Sequence, residues 1–349
     1  MPSPLLDLPG AVAADGLDAD VAAHYGSLYG EQRTLEDGSG FVDLSHRDVI
    51  RLTGPDRLSW LHNLTSQHFS ALAPKTWTGA LILSPQGHVE HAFYGVDDGE
   101  AFTAHTEPGQ AAALIEFLER MKFMTRVEIA DVTAEVAVTW RPRTQAVERS
   151  SSVVGRSSSV VGRSSSVVGR SSSVVEPVET TPYASYELVP RDQLTAYAEA
   201  AGPACGFWAF EALRIARGEP RLGLDTDHRT IPNEAGWIPS AVHLDKGCYR
   251  GQETVARVHT LGRPPRRLTL LHLDGSENRL PTRGADVLLG EKAVGFVGTS
   301  ARHHELGPIA LALLKRNVAV DAQLEVDGLP AAQEVIVDPE VGLHVRPLR

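Results

Sequence analysis

The 349 residues carry 33 Lys and Arg against 44 Asp and Glu, a net charge of −11, with 42% hydrophobic and 22% charged residues. This balance excludes a disordered or fibrous chain and opposes non-specific attraction to nucleic acid or an anionic membrane, so any anion site must be local. Two cysteines, Cys205 and Cys248, outside any C-x-x-C spacing, cannot build a disulfide framework, a redox dithiol or a four-thiolate cluster site. The opening 25 residues hold no Lys or Arg, which is unlike a secretory or transit signal, and no uncharged apolar run reaches the roughly 18 residues of a spanning helix. The expectation is a cytoplasmic protein of two or three domains, with no membrane and no direct nucleic-acid partner.

In chain order, residues 1–40 read as an N-terminal extension. FVDLSHRDVIRLTG (41–54) ends in strand-type alternation, and GPDRLSWLHNLTSQH (54–68) predicts a helix with Pro55 in its first turn and Leu58, Leu61 and Leu64 on one face. Strands are expected at 80–83, 88–96 and 101–105, a helix at 108–122 and extended chain at 126–139, completing a first α+β portion over 41–145. RSSSVVG then occurs three times from 149, with RSSSVVE closing the run at 170–176. Paired Val among Ser and Gly gives no a/d stripe, and seven residues are too few for a solenoid repeat, so 146–182 reads as an inserted, mobile surface loop.

A second portion spans 183–262, with a strand at 186–190 and helices at 192–201 and 206–217, the last stopped by Gly218 and Pro220. Beyond LGRPPRR (261–267) the texture changes to short strand-like runs separated by Gly and Asp, predicting a small antiparallel barrel or sandwich over 263–349. Strands and helices mix without regular alternation, which indicates an α+β fold rather than a doubly wound sheet.

The densest chemistry lies in KGCYRGQE (246–253). Its glycines permit a sharp turn and set Cys248 between Lys246 and Arg250, neighbours that favour thiolate; the alternative is a small buried cysteine in a turn. From 246 to 267 six cations face one acid, Glu253, a local positive field suited to an oligo-anion such as a polyglutamate tail or phosphate chain. Upstream, ALRIARGEPRLGLDTDHRTIPNEAGW (212–237) is a helix end leading into a long loop of the kind that carries binding groups. His303 and His304 adjoin in a strand-like run, where alternate residues face opposite ways, so no metal site is expected.

Together, FVDLSHRDVIRLTGPDRLSWLHNL, YELVP, ALRIARGEPRLG, IPNEAG and KGCYRGQE resemble the YgfZ-type folate-binding proteins. These are relatives of the glycine-cleavage T protein (GcvT) and include a mitochondrial branch acting in iron–sulfur protein maturation. The likeness runs from about Phe41 and omits the Ser/Val repeat. It implies a GcvT-like ring of two α+β portions and a C-terminal β-barrel, with tetrahydrofolate or a derivative towards the centre. It places Glu187 on the pterin, where a carboxylate suits the guanidine-like edge, with Arg214 near the same pocket. Tyr249 and Gln252 would also face the cofactor, and Cys248 would be the working thiol, tuned by Lys246 and Arg250. T proteins that transfer an aminomethyl carbon carry an acidic pair in the strand resembling GHVEHAFYG, where this chain has Glu90 and His91. The leading expectation is therefore a folate-binding accessory of iron–sulfur client proteins or assembly factors, including tRNA-modifying clients. The alternatives are a folate-dependent aminomethyl- or methyltransferase and an interaction module that binds no folate.

Overall fold

The computed structural model describes residues 1–142, 184–238 and 240–343; the heptapeptide insert lies outside the described residues. The first forty residues form a ribbon of β1 (Val12–Ala13) and β2 (Ala22–His24) followed by α1 (Leu28–Glu36). Next come β3 (Phe41–Asp43), β4 (Asp48–Thr53), α2 (Arg57–Leu64), β5 (Thr78–Leu83), β6 (Val89–Asp97), β7 (Ala101–Thr106), α3 (Ala111–Arg120), β8 (Glu128–Asp131) and β9 (Val136–Pro142). After the insert follow β10 (Ala184–Pro190), α4 (Leu194–Ala201), β11 (Ala204–Cys205), α5 (Phe207–Ala216) and α6 (Gln252–Leu261). The chain ends in β12 (Arg266–Leu273), β13 (Asp286–Leu289), β14 (Lys292–His303), β15 (Gly307–Lys315), β16 (Leu324–Val326) and β17 (Leu329–Val335).

The helix expected over 54–68 is shorter, because Gly54 (φ +104°) lies where a Cβ would fall 2.1 Å from the Arg126 carbonyl oxygen, and Asp56 is taken up by Arg126. At the other end Thr65 turns extended and its hydroxyl donates to the Leu61 carbonyl, closing α2.

The sheets do not follow sequence order. A five-stranded sheet runs β5-β6-β7-β4-β8, while β10-β9-β3-β11 forms a second, so β3 and β9 from before the insert share a sheet with β10 and β11 from after it. Ala80 and Ile82 of the buried strand β5 pack with Phe69, Phe93, Phe102 and the apolar stripe of α3 in one core. Helix α5 fills the other core with Phe207 and Phe210 against Val138 and Trp140. β12 to β17 close into a six-stranded antiparallel barrel in the order β12-β15-β14-β13-β16-β17. Alternation sends Leu271 and Leu273 into the barrel, and Leu268 and Leu270 towards Ile215 of α5. The architecture is α+β with a C-terminal barrel.

One expectation is corrected here. β14 ends at His303 and His304 opens the turn to β15, so strand alternation stops between them. The two rings stack at 4.8 Å instead of facing apart, and both approach Glu36 of α1. Among the described residues no helix is long and apolar enough to cross a membrane.

Candidate functional site

The KGCYRGQE loop is mounted on the β5–β6 turn by close backbone approach. Gly251 caps α6 at φ +79°, and a Cβ there would lie 2.4 Å from the Ser84 carbonyl oxygen and 3.0 Å from Gly87 Cα. Beneath it Val255 and Tyr249 join Leu81, Leu83, Val89, Trp237 and Val242 in an apolar cluster. Gln252 Oε1 accepts from the Tyr249 amide at 2.8 Å, which ties the turn to the start of α6.

Both cations of the motif are committed. Lys246 Nζ donates to the carbonyls of His62, Thr65 (2.5 Å) and Gln67 (3.0 Å), at the negative pole of α2; burial pushes its pKa down to about 8. Arg250 donates to Glu90 Oε2 at 2.8 Å and lies over the Phe117 ring. Neither therefore stands as a free cation beside Cys248, which is exposed rather than buried in the turn. The wider positive field is likewise corrected: Arg257 pairs with Glu253, Arg263 with Glu340, and Arg266 with Asp227 and Glu234. The acids that neutralise the last two come from outside the stretch counted in the sequence.

A second constellation gathers where β6, β7 and β10 meet. Tyr94 and His105 are direct cross-strand partners, stacked at 6.1 Å. Tyr186 lies 4.5 Å from His105, and Trp77 5.5 Å from Tyr186, centroid to centroid. Trp77, Tyr94 and Tyr186 are only part-buried, so with His105 they form an aromatic cluster that reaches the surface. Burial raises both phenol pKa values, and the Glu219 charge adds to that at each; Glu219 itself is gripped by Arg217 at 2.8 and 2.9 Å.

Against these rings runs a buried chain of charges. Arg47 Nη1 meets His105 Nδ1 at 3.3 Å. Because Arg47 only donates, Nδ1 accepts and the neutral ring carries its proton on Nε2; burial first, then Arg47 and His46, hold this histidine well below its ordinary pKa. Arg47 and Arg221 both reach Glu107, and Arg221 also grips Asp18, which contacts His46 at 3.0 Å. Burial opposes ionisation of Glu107 and Asp18, but the adjoining cations and hydrogen bonds prevail and both pKa values fall. A cavity of about 300 Å³ opens beside this chain, walled by Asp18, Phe207, Trp208, Glu211, Arg221 and Thr299.

Arg214 and Glu187 do not share a pocket. All five guanidinium N–H groups of Arg214 are used: on both Glu211 oxygens, Asp225 Oδ2, the Glu219 carbonyl and Thr299 Oγ1. It is a buried strut between α5, the following loop and β14, with no donor left for a ligand. Glu187 pairs with Thr139 across β9 and accepts from Tyr197 of α4 at 2.6 Å, whereas Tyr186 packs on Trp77, Tyr94 and His105. His91 packs on Phe117 with its pKa lowered by burial. Sequence inspection passed over Arg47, Trp77, Tyr94, His105, Tyr186 and Arg221. Tyr94 and Tyr186 sit inside the quoted runs GHVEHAFYG and YELVP, and Tyr186 is one strand position from Glu187.

No protein-family model matches the chain. It is 26% identical over 295 residues to a chloroplastic protein of Arabidopsis thaliana named as a transferase, covering 82% of this chain and 67% of that one. It is 25% identical over 331 residues to an aminomethyltransferase of Nostoc (88% and 85% covered). With one of Corynebacterium jeikeium it shares 23% over 347 residues (88% of each). The crystal structure of the glycine cleavage system aminomethyltransferase T of Bartonella henselae superposes with a TM-score of 0.73 at 18% identity, over 97% of this chain and 96% of that one. The chain thus has the fold of the glycine-cleavage aminomethyltransferases.

Proposed function

We propose that the protein binds a tetrahydrofolate derivative against the aromatic cluster and acts there on a folate-borne one-carbon unit, as a transferase of the aminomethyltransferase type. The observation that carries this is the part-buried cluster of Trp77, Tyr94 and Tyr186 around His105. Such rings suit a planar heteroaromatic ligand, each well-placed aromatic contact contributing about 0.5–1.5 kcal/mol beyond area burial. Glu219, whose charge is felt at both phenols, has both oxygens taken up by Arg217, so the aromatic faces carry this reading. Extended likeness to aminomethyltransferases supports the reaction class. Tyr249 and Gln252, which the resemblance puts on the cofactor, are tied to one another in the motif loop and fix its turn.

A second reading is favoured by one observation. Glu90, at the place of the T-protein acidic pair, is held by Arg250 of the motif, and Cys248 is exposed on the same loop. A carboxylate so paired is less available near a reactive folate nitrogen, which suits a YgfZ-type folate-binding accessory that serves iron–sulfur clients. The test supplies purified protein with tetrahydrofolate and an aminomethyl donor and follows methylene-tetrahydrofolate and ammonia. Their formation supports transfer. Folate binding without product, with aconitase activity lost on deletion in cells and restored by wild type but not by Cys248→Ala, supports the accessory.

A further inference from the structure

Away from the aromatic cluster, α1 and the β14–β15 turn meet through two residues one helical turn apart. Gln32 fixes the register: its Nε2 donates to the Arg302 carbonyl and its Oε1 accepts from the His304 amide, both at 2.8 Å. Glu36, four residues on, is thereby set over two imidazoles. Its Oε2 lies 2.5 Å from His304 Nε2 and its Oε1 4.0 Å from His303 Nε2. One donor atom from each of the three residues lies within 4.8 Å of the others. The imidazole side chains are 5% and 4% exposed, the carboxylate 42%, so two walls are dry and one is open to water. His304 Nε2 is buried and, close as it is to the carboxylate, has no directed hydrogen bond.

We propose that Glu36, His303 and His304 form a site for a divalent transition-metal ion of the Zn²⁺ class, joining the N-terminal helix to the barrel. Two imidazoles and one carboxylate, with a coordination position open to solvent, are a donor set for such ions. Bonds of about 2.0–2.1 Å at tetrahedral angles put ligand atoms about 3.3 Å apart, so the carboxylate and rings need shift only by ångström-scale amounts. One bond pattern must change. His303 Nδ1 accepts from the Glu305 and Leu306 amides at 3.2 Å, which leaves the proton of the neutral ring on Nε2. Metal binding at Nε2 moves that proton to Nδ1 and releases the two turn amides. This site is independent of the folate reading.

The test uses full-length protein stripped with chelator, in a Cys248→Ser background that removes the exposed thiol. Titration with Co²⁺ is expected to give one equivalent of visible d–d absorption, displaced by Zn²⁺, with faster hydrogen exchange at residues 305–306. Glu36→Gln and His304→Gln, folded by circular dichroism, are each expected to weaken uptake about tenfold or more. No saturable uptake below about 1 mM, or uptake unchanged in both variants, overturns the proposal.

Discussion

Arg214→Gln tests whether the helix arginine is a strut or a ligand group. The side chain is 2% exposed and its partner Asp225 0%. Three of its five bonds go to carboxylates, Glu211 at 2.7 and 2.6 Å and Asp225 at 3.0 Å. Those two acids keep it charged against burial, raising its pKa. After substitution Asp225 keeps the Arg221 amide and Thr299, and Glu211 keeps Arg221 at 3.4 Å, but one cation among buried acids is gone. Breaking such a pair from one side costs about 3–5 kcal/mol. At about 2.1 cal/mol/K per residue, that lowers Tm by about 4–7 °C for a chain of this size. Thermal and urea unfolding read the loss, and tetrahydrofolate titration below the transition reads affinity. A variant as stable as wild type that has lost folate affinity would refute the strut.

Three further outcomes follow from local geometry. Gly251→Ala meets a positive φ and the Ser84 carbonyl at 2.4 Å, so it should cost more than about 1 kcal/mol and speed hydrogen exchange over 246–254 while the barrel stays protected; an unchanged loop contradicts this. Burial first, then Glu31, pushes Cys205 up to about 12, so native protein should release one equivalent of thiol to Ellman's reagent, lost in Cys248→Ala, and a second only on unfolding. Burial would raise the Asp227 pKa, but Arg266 and Thr230 outweigh it and bring the carboxyl from 3.8 down to about 2. The folded state then binds fewer protons than the unfolded one between those values, so this contribution is present above about pH 4 and disappears as pH falls towards 2. Asp227→Asn should lower stability at pH 7 and flatten that part of the acid limb in urea titrations; an unchanged limb contradicts the assignment.

The sequence carried the fold where pattern alone decides it. Alternation in RRLTLLHL marked a barrel strand and the Gly218/Pro220 stop marked the end of α5. The quoted motifs pointed to the T-protein architecture that superposition confirms. Partnerships across long separations were not legible. Arg250 finds Glu90 160 residues away and Gln32 finds Arg302 at a separation of 270, and Arg263 and Arg266 of the patch counted as basic likewise meet acids from outside it. Glu187 and Tyr186 differ by one position in a period-two element, and only the pairing of Tyr186 with Trp140 and Glu187 with Thr139 decides which faces the aromatic cluster. The His303–His304 pair was misjudged because the strand ends between them, a boundary that sequence patterns place to within a few residues at best.

Calorimetric titration of tetrahydrofolate reads the folate site proposed at Trp77, Tyr94, His105 and Tyr186. Saturable one-to-one binding is expected in wild type and Cys248→Ala, with Tyr186→Ala weaker by about 3–10-fold as one aromatic contact is lost. No saturable binding to wild type, or equal affinity in Tyr186→Ala, would contradict it.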